Sequence, residues 1–272
     1  MSRVRDTVKH ILKKEKGVLV AYLFLGTMVL FAAIRSVARG EHFGVLMCAL
    51  TLVFFALPSV AERRLHLRFP DFFVISVLAF VFSAEILGEI NYYYVRIPLW
   101  DSLLHGISGF LFAAFGFAVA DVLNRDTRIK FSLSPVWLSL AAFCFSMTVG
   151  VIWEFYEFGM DTLFSYDMQK DTFITGFNSV LLDPLKENIP VSVDGIREVT
   201  VYLETGESLG LSAYLDVGLY DTMKDLFVNF VGAVVFSVVG YVYLRRKGKW
   251  RLAERLIPQF AEAEGEKRGD FE

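Results

Sequence analysis

The chain has little net charge. Its 27 Lys and Arg nearly balance 30 Asp and Glu, leaving a net charge of -3. No compact basic segment with interleaved aromatics lies outside the apolar runs, which sets aside nucleic-acid binding. Cysteine is also rare. Cys48 and Cys144 both sit within apolar runs, contexts suited to packing rather than thiolate chemistry, so they say nothing about redox compartment. Of four histidines only His105 falls inside an apolar run; His10, His42 and His66 lie outside. The sequence has no HExxH pair for a zincin-type site and no Walker A loop for nucleotide phosphates.

What the chain has in quantity is apolar surface. It is 55% hydrophobic and 15% aromatic, with a mean hydropathy of +0.49, more than a water-soluble fold carries. A spanning helix needs about 20 mostly apolar residues to cross about 30 Å of hydrocarbon. Six segments meet that demand: 18–34, 43–60, 71–88, 101–123, 136–158 and 221–244. The expected fold is therefore all-α and polytopic, a six-helix transmembrane bundle. The first run follows six basic residues like a signal peptide, but it exceeds the usual apolar core of one and reads as a retained signal anchor.

Lys and Arg outside the spans concentrate in cytoplasmic segments. Twenty of them fall in residues 1–17, the loops holding Arg63 and Arg128, and the segment after Leu244. Six fall in the alternate segments, at Arg35, Arg39, Arg96, Lys170, Lys186 and Arg197. An odd number of spans would break this separation. The expectation is a multi-pass protein of the prokaryotic inner membrane with both ends cytoplasmic. Val4, Val8, Ile11 and Leu12 share a helical face in the basic leader; it either lies flat on the inner leaflet or only sets topology. Residues 245–272 form a cytoplasmic tail that becomes Glu-, Lys- and Gly-rich and reads as ending in disorder.

The connection 159–220 is the one long extramembrane piece, placed outside by the charge count. Val191 to Val193, the Asp194-Gly195 turn and the alternation of Val199, Val201 and Leu203 read as a hairpin. Glu204 to Glu207 then turn the chain into a third strand. A small β meander is expected there.

Ionisable residues inside spans are costly and mark functional sites by default. Glu85 and Glu89 end the third span, Asp101 and His105 open the fourth, Glu154, Glu157 and Asp161 end the fifth, and Asp221, Asp225 and Asn229 open the sixth. Helical spacing puts each set on one face, so four helices present a polar ring near the outer leaflet. Its eight carboxylates have few cations nearby, namely Lys224, Arg96 and a protonated His105. Crowded, desolvated carboxylates either take up protons or bind a cation. A divalent metal (Zn, Mg, Mn or Ca) held by His105, Glu154, Glu157 and Asp225 satisfies them, with Asp101 or Glu85 as base for metal-bound water. Asp101 and Asp221 also suit a purely capping role at helix starts. The Gly106-Ile107-Ser108-Gly109 run has the form of a rhomboid protease motif, but no second intramembrane histidine is available as base. Small residues for close helix packing account for it better.

Trp100-Asp101 with His105 and Gly109, Trp153-Glu154 with Glu157, and Asp221-Thr222 with Asp225, Asn229, Gly232 and Ala233 resemble the YjdF-like family of uncharacterised bacterial inner-membrane proteins. More distantly they resemble the VanZ-like proteins. The resemblance covers about residues 100–233 and implies a multi-span fold with acidic motifs at helix ends, without implying an activity. Three functions stay open: metal-assisted chemistry or binding on a lipid-linked or cell-envelope molecule, a proton- or cation-coupled transporter, and a non-catalytic interaction protein.

Overall fold

A computed structural model describes residues 16–65, 67–125, 132–246 and 249–260. The leader carrying Val4, Val8, Ile11 and Leu12 lies outside the described residues. Among the described residues, six helices are long and apolar enough to cross a membrane: Lys16–Arg39, His42–Leu65, Asp71–Ile90, Trp100–Asn124, Pro135–Phe164 and Leu219–Arg245. Each contains one of the six expected runs, extended at one or both ends. Small sheets make up most of the remaining regular structure.

The first helix, α1 (Lys16–Arg39), packs on α2 (His42–Phe55), which continues through Ala56 into α3 (Leu57–Leu65). Between α1 and α2, Gly40 takes a positive φ of 70°, a conformation open to glycine because it lacks Cβ. After the short strand β1 (Leu67–Arg68) comes α4 (Asp71–Phe82), whose last turns, Ser83–Ile90, are π-helical. The wider turn shows in Asn91, whose N–H reaches the carbonyl of Ile86 five residues back. A short α5 (Tyr93–Arg96) leads into α6 (Trp100–Arg125), followed by α7 (Pro135–Phe164).

The chain divides into two compact units. One comprises residues 1–150 and 226–272, the other residues 151–225. In the first, apolar side chains from α1, α2, α4, α6 and the inner part of α7 form the core, with Val29, Val74, Leu78, Ala114 and Phe117 almost fully enclosed. Arg35 donates to Asn91 Oδ1 at 2.7 Å, tying the ends of α1 and the π-helical segment. The chain after the last long helix, α8 (Leu219–Arg245), forms α9 (Arg251–Glu254) and strand β8 (Gln259–Phe260). Strand β8 pairs antiparallel with β1, Leu67 opposite Phe260. In this segment Ala253 and Ile257 are buried in the core; the expected disorder at the end of the tail lies outside the described residues. The pairing also fixes the loop after α3 and the segment after α8 at one end of this unit, as an even number of intervening spans requires.

The second unit holds the ends of α7 and α8 and the β-rich connection. Its strands are β2 (Phe173–Ile174), β3 (Gly176–Ser179), β4 (Val191–Asp194), β5 (Val199–Tyr202), β6 (Ser208–Leu211) and β7 (Tyr214–Leu215), paired β2 with β7, β3 with β4 and β5 with β6. The expected hairpin between 191–193 and 199–203 is corrected here. Strand β4 pairs backwards with β3, Gly176 opposite Asp194, and Ile196 N–H bonds Thr175 O beyond the ladder. The Asp194-Gly195 step therefore leaves one ladder instead of turning within it. The turn at 204–207 is as expected, since Val199 pairs with Leu211 and Tyr202 with Ser208.

Candidate functional site

In the first unit, Leu99 takes a positive φ of 63°, uncommon for a residue with a side chain, and turns the chain into α6. The indole of Trp100 then meets Tyr93 edge-on, with ring centroids 5.0 Å apart. Asp101 lies in the first helical turn, where the helix dipole favours a negative charge. One turn on, His105 Nε2 stands 3.6 Å from Asp101 Oδ1, with the imidazole 11% and the carboxylate 25% exposed. These two residues offer a nitrogen and an oxygen within 4.8 Å of one another, donor types able to share a metal ion. Ser108 Oγ donates to the His105 carbonyl at 2.9 Å, so the hydroxyl of the GxSG run is occupied with backbone.

Gly109 of that run and Gly232 of α8 have a packing role. A Cβ on Gly109 would overlap the backbone carbonyl of Asn229, and a Cβ on Gly232 would overlap the carbonyl of Gly106. Helices α6 and α8 therefore touch backbone to backbone. From α7, Ser146 Oγ donates to Gly109 O at 2.7 Å, and a Cβ on Gly150 would lie 2.7 Å from Asn229 Nδ2. Asn229 is 1% exposed. Its Nδ2 lies 3.5 Å from Met147 S, while its Oδ1 has no hydrogen-bond partner among the described residues. Glu85 and Glu89 ride on the π-helical end of α4, both half-buried.

In the second unit, Glu154 and Glu157 on α7 are 5% and 7% exposed, and Glu157 accepts from Trp153 Nε1 at 2.8 Å. Asp161 accepts from the backbone N–H groups of Met168 and Gln169 at 2.6 and 2.8 Å. On α8, Asp221 accepts from Lys170 N–H at 2.9 Å and from Lys224 Nζ at 2.6 Å. Lys224 Nζ also lies 4.0 Å from Asp225 Oδ1, a carboxylate group only 1% exposed. Asp161 and Asp221 thus brace the connection as it leaves α7 and approaches α8.

A further aspartate of this unit drew no attention in the sequence. Asp216 accepts from Thr172 and Tyr220 N–H at 2.6 and 2.7 Å. Burial pushes its carboxyl upward, but these backbone bonds outweigh that effect and hold it below the usual aspartate value. Asp183 behaves alike: desolvation opposes ionisation, and the N–H groups of Leu185, Ile189 and Glu187 overcome it. The sequence signal for both was a Pro- or Gly-containing turn just after the aspartate, Asp183-Pro184 and Asp216-Val217-Gly218.

A family described as "Predicted membrane protein (DUF2238)" matches residues 19–246. An uncharacterized protein of Thermotoga maritima is 29% identical over 127 residues, 46% of this chain and 61% of the relative. The similarity thus spans somewhat less than two thirds of that relative's length. No solved structure matches the chain.

Proposed function

The chain belongs to the DUF2238 family of predicted membrane proteins, and on that footing we propose that it binds a divalent cation through Asp101, His105 and Asp225. The observation that carries this reading is the Asp101–His105 pair, with donor atoms within 4.8 Å on successive turns of α6. Asp225 enters as the third donor because it is a nearly inaccessible carboxylate one turn before Asn229 on α8. His105 likewise lies one turn before Gly109 on α6. Glu154 and Glu157 supply further carboxylates, and the amide oxygen of Asn229 another hard donor. One imidazole with carboxylates suits Zn or Mn, and the oxygen-rich remainder suits Mg or Ca.

Such a cation acts as a Lewis acid and lowers the pKa of bound water. With Asp101 committed to coordination, Glu85 becomes the candidate base. The molecule acted on or bound is lipid-linked or belongs to the cell envelope, as suits a site near the outer ends of spanning helices. The Lys and Arg excess supports a topology with both chain ends in the cytoplasm of a prokaryotic cell. The motifs at Trp100, Trp153 and Asp221 are what supports a resemblance to YjdF-like and VanZ-like proteins.

Metal analysis of purified protein tests the site. Wild type should retain one divalent ion per chain, and His105→Ala and Asp225→Ala should each lose it while keeping the wild-type elution profile in detergent. A metal-free wild type after incubation with Zn, Mn, Mg and Ca in turn would overturn the reading.

A further inference from the structure

We propose that a groove in the first unit holds one acyl chain of a bilayer glycerolipid. It encloses about 420 Å³ between α4 and α6, lined by Phe72, Ala79 and Ser83 on one side and Trp100, Leu104 and Ile107 on the other. The volume falls within the range of small-molecule sites, about 300–1,000 Å³. Spacings of three, four and seven residues place each set on a single helix face, so the groove follows the helix axes.

Its length and chemistry both indicate hydrocarbon. From Phe72 to Ser83 a helix rises about 16 Å, close to half of the roughly 30 Å hydrocarbon thickness, the depth of one leaflet. Ser76, Ser83 and the indole N–H of Trp100 are the polar groups among lining residues that are otherwise hydrocarbon. Ser76 already donates to Phe72 O at 2.8 Å. A polar ligand would find few partners to replace its hydrogen bonds to water, whereas an acyl chain loses nothing.

A definite end distinguishes this groove from the rest of the lipid-facing surface. Leu256 lines it, and Leu256 lies three residues before β8, while Phe72 lies four residues after β1. The β1–β8 pairing and the buried Ala253 and Ile257 hold that residue as a stop at one end. Trp100 lines the groove as well, next in sequence to Asp101. The groove requires no cation and stands whether or not the metal reading does.

Protein purified in mild detergent and examined by native mass spectrometry should carry one glycerolipid per chain. Ala79→Trp and Ile107→Trp fill the groove and should each lose that lipid. Val20→Trp, on α1 where Val20 is 62% exposed, should keep it. Metal content should not change in any of the three. A wild type without lipid, retention by both groove variants, or a polyprenol in place of a glycerolipid would overturn the assignment. A glycerolipid carrying a photoreactive group in its acyl chain tests the unmutated protein. Crosslinks should fall on residues 72–83 and 100–111; crosslinks spread evenly over all six helices would contradict a specific groove.

Discussion

The two units use backbone contact in opposite ways. In the helical unit, glycines let whole backbones touch, as at Gly109 against Asn229 and Gly232 against Gly106. In the β-rich unit, aspartate side chains reach for backbone N–H groups, as at Asp161, Asp183, Asp216 and Asp221. The difference follows from the two kinds of segment. A spanning helix satisfies its own backbone and gains by close dispersion contact. A connection with short ladders has backbone donors to spare, and ionised carboxylates satisfy them strongly. Against this background the Asp101–His105 pair stands out, because its carboxylate faces an imidazole rather than a backbone amide.

The sharpest way to break the comparison is to add one methyl group in each unit. Gly232→Ala should destabilise the protein by about 3 kcal/mol or more, since neither backbone can yield. Gly210→Ala, where a Cβ meets nothing within 4 Å, should cost nothing or gain a few tenths of a kcal/mol from lower chain entropy, roughly. Thermal unfolding in detergent reads both. Equal effects would show that the glycine contacts do not govern the helical unit.

Next in size, Asp161→Ala should cost the loop about 2 kcal/mol, the scale of a hydrogen bond to a charged group. The loss should appear as faster deuterium exchange at Met168 and Gln169, with exchange at the α6–α8 contact unchanged. A global increase would mean that the loop and the helices do not respond separately.

The pH response sharpens the same contrast. The carboxyls of Asp183 and Asp216 titrate below the usual aspartate value, near about 3.9, because backbone donors outweigh desolvation. A depressed folded value means their stabilisation is complete above the unfolded pKa and is lost as pH falls through the folded one. Amide protection at Thr172 and Tyr220 should therefore hold from neutral pH down to about 4 and decline only below it. A decline already at pH 6 would point to another group. A smaller loss than at Asp161 is expected at Asn91→Ala, which removes the 2.7 Å bond from Arg35 and should cost about 1 kcal/mol in unfolding measurements.

The six spans were legible because lipid imposes a length and composition that 18–34 and its five counterparts meet openly. The pairing of β4 was not. Val191 to Val193 suits either neighbour by alternation, and the choice of Gly176–Ser179 depends on register and on the Asn178–Ser192 side-chain bond at 2.6 Å, which no local pattern encodes. The ordered segment 249–260 was hidden by its charged neighbours, although Ala253 and Ile257 carry the helical spacing of a buried face. For the candidate site, the acidic helix ends were legible in the sequence, but their separate roles were not. Asp161 and Asp221 share spacing with Glu157 and Asp225, yet their oxygens engage loop amides, those of Met168 and Gln169 for Asp161 and that of the sequence-distant Lys170 for Asp221. The groove gave no signal, since an apolar stripe facing lipid and one facing a cavity read alike.

X-ray absorption at the metal edge of protein loaded with Zn or Mn tests the central claim most directly. The bound metal should show a shell of nitrogen and oxygen that includes one imidazole, at about 2.0–2.2 Å for Zn, with the imidazole signal gone in His105→Ala. A spectrum unchanged by that substitution would contradict it.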